Sequence, residues 1–173
     1  SVKQRGSAGP RGGRGSDHFL ELSRGETQPA GLQGDRAFRE GRYGDAAHFY
    51  AKAVEFSPDS GILYLVLADA LFATGDYRYA AFAIRKALEL EPELASNVID
   101  KRDFYAVSAD FDRQLATLER FVDDHVIDDD ARLVLAANYL FGGRPAAATH
   151  ASTRRYSQGT SAVQRGPGAE LFA

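Results

Sequence analysis

The sequence contains no cysteine, no methionine and no tryptophan among its 173 residues. The lack of cysteine excludes disulfide bonds, thiolate catalysis and cysteine-ligated metals. No stretch of eighteen or more apolar residues occurs, so the sequence predicts no transmembrane helix. Without methionine, Ser1 is not a translation start, and we expect either a processed chain or a part of a longer protein. The composition identifies no cellular compartment.

Charge is unevenly distributed along the chain. The formal net charge of −3 divides into +4 for residues 1–16, −10 for residues 17–141 and +3 for residues 142–173. Both ends are poor in large apolar residues and rich in glycine, serine and arginine, which predicts disorder over residues 1–26 and 157–173. The Arg-Gly run at residues 11–15 leaves weak nucleic-acid binding open as an alternative function, beside the simpler interpretation as a linker.

Motifs that carry chemistry are missing from the sequence. The four histidines have no partner at metal-ligand spacing, which argues against a metal site. Five aspartates cluster at residues 123–130, but the glycine and the closing glutamate of a calcium loop are absent there, so we interpret them as helix-end and cap residues. No phosphate-binding glycine loop, nucleophile elbow or zinc-protease motif occurs. We therefore predict no enzyme activity, no cofactor and no metal.

An internal repeat of 34 residues runs through the middle of the chain. Glycine, which takes a left-handed backbone without steric cost, is expected to end the first helix of each pair, and alanine allows the two helices close contact. Proline is expected to close the second helix. The columns that show this period are Gly41 and Gly75, Tyr43 and Tyr77, Ala46 and Ala80, Ala53 and Ala87, and Pro58 and Pro92.

The repeat and the apolar periodicity predict eight helices. Their expected ranges are 28–40, 44–56, 60–74, 77–90, 95–106, 110–125, 130–141 and 145–156. The third copy departs from the pattern, because Lys101 stands at its leucine position and Arg102 at its small-residue position. These departures leave two alternatives for 95–106, a regular helix or a shortened one with loop around Asn97–Asp103 or Ala106–Ser108.

Residues 41–58 and 61–92 resemble the tetratricopeptide repeat family. The second copy supplies the family pattern in full, and the resemblance covers residues 27–151. It implies an all-α, right-handed solenoid of antiparallel helix hairpins, with repeats at about 27–60, 61–94, 95–128 and 129–156. The positions that match the pattern are Tyr64, Leu67, Ala68, Leu71, Gly75, Tyr77, Ala80, Ile84, Ala87 and Pro92.

The resemblance also places a set of candidate partner-binding residues on the concave face of the solenoid. Three aspartates recur at the 34-residue period, and aromatic residues follow two of them three positions later. A groove with carboxylates beside aromatic rings suits a peptide or helix that carries Lys or Arg and an apolar anchor. The candidate residues are Asp35, Phe38, Arg39, Ile62, Leu65, Asp69, Phe72 and Asp103.

The function predicted from the sequence is a non-catalytic protein-interaction scaffold that binds a protein or peptide in this concave groove. The alternatives are a regulatory or interaction fragment of a longer enzyme or membrane-anchored protein, and nucleic-acid binding through the basic N-terminal segment. Simple solvation of the helix surface is the competing interpretation of the three aspartates. The sequence identifies neither the partner nor the oligomeric state.

Overall fold

A computed structural model of the protein describes residues 29–96 and 100–141. Within these ranges the chain forms six α-helices and two 3-10 helices and no β-strand, as the sequence predicts. The predicted disorder of residues 1–26 and 157–173 and the predicted helix over 145–156 lie outside the described residues. The α-helices are α1 Pro29–Arg39, α2 Tyr43–Phe56, α3 Gly61–Thr74, α4 Tyr77–Leu90, α5 Ser108–Asp124 and α6 Asp129–Phe141, with the 3-10 helices Pro92–Ser96 and Lys101–Phe104 between α4 and α5.

The first four α-helices form two hairpins with the same turn. Gly41 and Gly75 have φ of 73° and 83°, so each ends its hairpin's first helix in the left-handed conformation. In both turns the backbone N–H of the residue after the glycine bonds back to a carbonyl of the preceding helix. Arg42 N donates to Ala37 O at 2.9 Å, and Asp76 N donates to Leu71 O at 2.9 Å. The predicted 34-residue period is therefore present in the backbone.

Small residues lie where the helices of the second hairpin touch. Ala68 in α3 and Ala80 and Ala87 in α4 are all at most 1% exposed. α3 also packs against α2, so the second hairpin continues the first as a stack. The predicted roles of these alanines and of the glycine turns are confirmed, and the two hairpins form the expected helical-repeat solenoid.

The third repeat differs from a regular helix hairpin. The sequence left a regular helix and a shortened one as alternatives for 95–106. The residues described in this stretch form no regular α-helix, only the two short 3-10 helices. Lys101 and Arg102 remove the apolar stripe that would bury such a helix against α4, so nothing offsets the cost of forming it. The position next to α4 is filled instead by α6, which packs against it.

α5 leaves the regular stacking order. It packs against the second 3-10 helix, against α6 and, more lightly, against α3. Its N-terminal half reaches the turn of the first hairpin, where Tyr43 Oη donates to Asp110 Oδ2 at 3.3 Å. Its C-terminal half reaches the turn of the second hairpin, where the rings of Tyr77 and Phe121 are 5.0 Å apart. Residues 100–124 therefore lie against the two hairpins rather than extending the stack.

Candidate binding groove

Seven of the eight predicted partner-binding residues lie on α1 and α3, and Asp103 lies on the second 3-10 helix. Two pairs among them occupy equivalent positions of the two hairpins. Asp35 and Phe38 in α1 correspond to Asp69 and Phe72 in α3, 34 residues later. We call the face that these four residues define the groove. The structure differs from the predicted open groove in one respect, because the groove is filled. Its apolar members, Phe38 and Phe72, are buried, and the predicted residues Ile62 and Leu65 of α3 are buried as well.

The segment that fills the groove belongs to the same chain. Residues 100–111, which we call the covering segment, run from the second 3-10 helix into the first turn of α5. Three of its side chains contact the predicted groove residues: Lys101, Tyr105 and Phe111. Phe38, Asp69 and Phe72 are therefore covered while this segment is in place.

The centre of the groove holds a buried ion pair. Lys101 Nζ donates to Asp69 Oδ1, and their side chains are only 6% and 14% exposed. Lys101 Nζ also donates to Asn138 Oδ1 of α6 at 3.2 Å and lies 5.2 Å from the centre of the Phe141 ring. Burial raises the pKa of Asp69, and the charge and hydrogen bond of Lys101 oppose that rise. Asp69 is thus a core ion-pair partner in this conformation.

Aromatic rings join the covering segment to both hairpins. Tyr105 meets Phe38 edge to face at a centroid distance of 5.0 Å, and Phe111 meets Phe72 in the same way at 6.0 Å. Tyr105 and Phe111 also contact each other at 5.5 Å. Edge-to-face pairs at these distances are favourable beyond the apolar area they bury. The covering segment thus places one of its own aromatic rings against each hairpin.

The Tyr105 hydroxyl is satisfied within the segment's own helix. It donates to Gln114 Oε1 in α5 at 2.7 Å, and burial raises the pKa of Tyr105. Sequence reasoning missed both Lys101 and Tyr105 as groove residues. Lys101 could have been predicted from the sequence, because it is a cation at the leucine position of the repeat, close to the aspartates that recur every 34 residues.

Asp35 lies at the groove position of α1 and bonds to the second helix of its own hairpin. Tyr50 Oη donates to Asp35 Oδ1 at 2.8 Å, and burial, followed by the nearby Asp35 charge, raises the pKa of Tyr50. The Tyr50 ring reaches this position because Gly34 has no side chain.

One part of the predicted site remains accessible on α1. A surface depression of about 450 Å³ is lined by Leu32, Asp35, Arg36, Arg39 and Glu40. Leu32 and Arg39 are exposed, and Arg36 Nε donates to Glu40 Oε1 at 2.9 Å on the surface. Asp103 is also exposed, on the second 3-10 helix. Of the eight predicted residues, Asp35, Arg39 and Asp103 therefore keep surface that a partner can reach, and their role in binding stays a prediction.

Other kinds of site have no support in residues 29–96 and 100–141. No group of three histidine or carboxylate side chains lies close enough to hold a metal ion in those ranges. Among the helices described there, none has both the length and the apolar character that crossing a bilayer requires.

Comparison with known protein families agrees with the geometry of the two hairpins. Residues 37–101 match the family model described as tetratricopeptide repeat. The match runs from the last turn of α1 to the lysine that fills the groove. No curated protein matches the sequence. The two stacked hairpins share a turn, a small-residue contact and a 34-residue period, and the match over residues 37–101 supports a tetratricopeptide repeat protein.

Proposed function

We propose that this chain is a non-catalytic protein-interaction module whose groove receives a partner segment that carries a Lys or Arg and aromatic anchors. Tetratricopeptide repeats generally mediate protein–protein interaction. The partner class follows from the groove's own chemistry, which combines a carboxylate with exposed edges of aromatic rings once the covering segment is set aside. Nucleic-acid binding through residues 11–15 stays a prediction, since those residues lie outside the described part of the chain.

The contact that carries this proposal is the fit of Lys101 to Asp69 together with the two ring pairs of the covering segment. A cation that leaves water needs a counter-charge close by, and Asp69 supplies it. The rings of Phe38 and Phe72 then fix the position of the two aromatic anchors. A segment from another protein with the same three groups would find the same three partners.

The depression on α1 offers a first contact for such a partner. Arg39 and Leu32 are exposed there, next to Asp35, which belongs to the groove. A partner that carries an acid as well as its cation would pair with Arg39 without displacing anything. This part of the surface supports an initial encounter at the α1 end of the groove.

Selection of random 12-residue peptides on the full chain tests the proposal. We expect the selected peptides to be enriched in a Lys or Arg followed by aromatic residues. Their affinity should fall at least ~10-fold, equal to ~1.4 kcal/mol, when Asp35 and Arg39 are both changed to Ala. Lys52→Ala, an exposed cation on α2, is the matched control and should leave the affinity unchanged. Peptides without this pattern, or equal binding to all three proteins, would contradict the proposed groove.

A further inference from the structure

The covering segment is held by side chains rather than by backbone pairing with the hairpins. The backbone hydrogen bonds described for it are local, such as Asp103 N to Asp100 O at 3.1 Å and Tyr105 N to Arg102 O at 3.2 Å. Asp100 caps its first turn by accepting from Arg102 N at 3.0 Å. Local bonds of this kind form without the groove. The attachment therefore depends on side chains: Lys101, Tyr105 and Phe111 contact the groove, Phe104 packs against the core, and Asp110 accepts from Tyr43 Oη.

Only one side of the covering segment contacts the groove. Lys101, Tyr105 and Phe111 are buried, whereas Asp103 and Val107 between them are exposed, the latter by 54%. A segment bound by one face through spaced side chains is how a groove holds a peptide ligand. In a regular repeat, by contrast, this stretch would belong to a hairpin buried between neighbours.

We infer that residues 100–111 act as a built-in ligand that competes with outside partners for the groove. This inference rests on the proposed function and adds its regulation. A partner gains the groove only in molecules whose covering segment has been released. Its apparent dissociation constant is therefore the intrinsic one divided by the released fraction. Substitutions that weaken the contact of the covering segment with the groove should raise the affinity for a partner, although they change no residue that contacts the partner.

The probe for this inference is a labelled synthetic peptide of residues 100–112, DKRDFYAVSADFD, added to the full-length chain. The test variant is the double change Tyr105→Ala and Phe111→Ala, which removes both ring contacts to the groove. The matched control is Tyr79→Ala with Phe82→Ala, which removes the same two residue types from the exposed face of α4. Binding is followed by fluorescence anisotropy, and helix content by circular dichroism.

We expect the test variant to bind the peptide at least ~10-fold more tightly than the wild-type chain, with the control equal to wild type. A peptide with its lysine changed to glutamate should bind neither protein. Equal affinity of wild type and test variant would overturn the competition while leaving the groove as a binding site. No binding by a folded test variant would contradict the proposed function itself. Loss of helix content in the variant would also overturn the inference, because a releasable ligand is not required for the hairpins to fold.

Hydrogen exchange on the unmodified chain gives a second measurement. We expect the amides of residues 100–107 to exchange at least ~10-fold faster than those of α3 at neutral pH, because a segment held by side chains opens without global unfolding. Equal exchange rates for the two stretches would mean that they open together. That result would assign residues 100–111 to the core and overturn the inference.

Discussion

Gly34 has no room for a side chain. An added Cβ would lie 2.5 Å from Tyr50 Cε1 and 2.6 Å from Cδ1. The ring cannot easily move away, because its hydroxyl is bonded to Asp35 at 2.8 Å. Gly34→Ala is therefore expected to lower the free energy of unfolding by ~1–3 kcal/mol through overpacking, measured by urea denaturation.

Gly44 provides the control for that substitution. It lies in α2, has a negative φ, and an added Cβ would meet nothing within 4 Å. Gly44→Ala should therefore raise the free energy of unfolding by ~0.4–1 kcal/mol, because alanine loses less backbone entropy on folding. If both substitutions changed stability equally, the contact between Gly34 and Tyr50 would not be the cause.

Lys101 shows how one residue changes the outcome for a whole repeat. Its position in the 34-residue register belongs to a leucine, and a lysine there cannot join an apolar helix contact. In the structure it remains buried, but against Asp69 of the neighbouring hairpin. The column of aspartates was visible in the sequence. The pairing of its central member with Lys101 was not visible, because the two residues lie 32 positions apart, with the end of α3, the whole of α4 and the first 3-10 helix between them.

α6 carries a second residue that does not suit its position. Arg132 is 7% exposed and its Nη1 has no hydrogen-bond partner in the part of the chain that the structure describes. In the register of the repeat it stands where α3 has Tyr64, a large side chain that packs on the core. A buried donor without an acceptor destabilises the folded state.

Arg132→Met should therefore raise the free energy of unfolding by ~1–3 kcal/mol, since methionine fills similar space without a polar group. The measurement is thermal or urea unfolding of the full chain. Arg78→Met, at an exposed position of α4, is the matched control and should change stability by less than ~0.5 kcal/mol. A destabilised Arg132→Met variant would show that the guanidinium contributes contacts that outweigh its missing bond.

At the scale of the secondary-structure elements, the helices were largely predictable from the sequence. The periodicity placed α1 to α4, α5 and α6 within a few residues of their observed bounds, because each has an apolar stripe or a clear start and stop signal. Asp76 caps α4 by accepting from Tyr79 N at 3.3 Å, and Asp128 caps α6 by accepting from Ala131 N at 2.9 Å. Such signals are local, so they can be read without knowing the fold.

Alkaline pH should destabilise the whole molecule through two buried tyrosines. Burial raises the pKa of both Tyr50 and Tyr105 above the ordinary value of about 10. The unfolded chain releases these protons near pH 10, whereas the folded chain keeps them. Their contribution to stability is therefore full below pH 10 and is lost as the pH rises further, at ~1.4 kcal/mol per pH unit for each tyrosine.

Urea unfolding at several pH values between 9 and 11.5 measures this effect. Tyr50→Phe should lower the free energy of unfolding at pH 8 by removing the hydrogen bond to Asp35. Above pH 10 the free energy of unfolding should fall less steeply with pH, because about one proton fewer is released on unfolding. Tyr79→Phe, an exposed tyrosine of α4, is the reference variant. An unchanged slope in Tyr50→Phe would show that the ring reaches solvent before the chain unfolds.

At the scale of the whole molecule, the sequence determined the helical hairpins and their stacking. Glycine turns, small-residue contacts and apolar stripes act over one or two helices, and the 34-residue period displays them directly. The tertiary structure alone decided what occupies the groove. That outcome depends on whether residues 100–111 gain more from Asp69, Phe38 and Phe72 than from a third hairpin of their own. The comparison involves contacts across more than thirty residues of chain, and no local pattern records it.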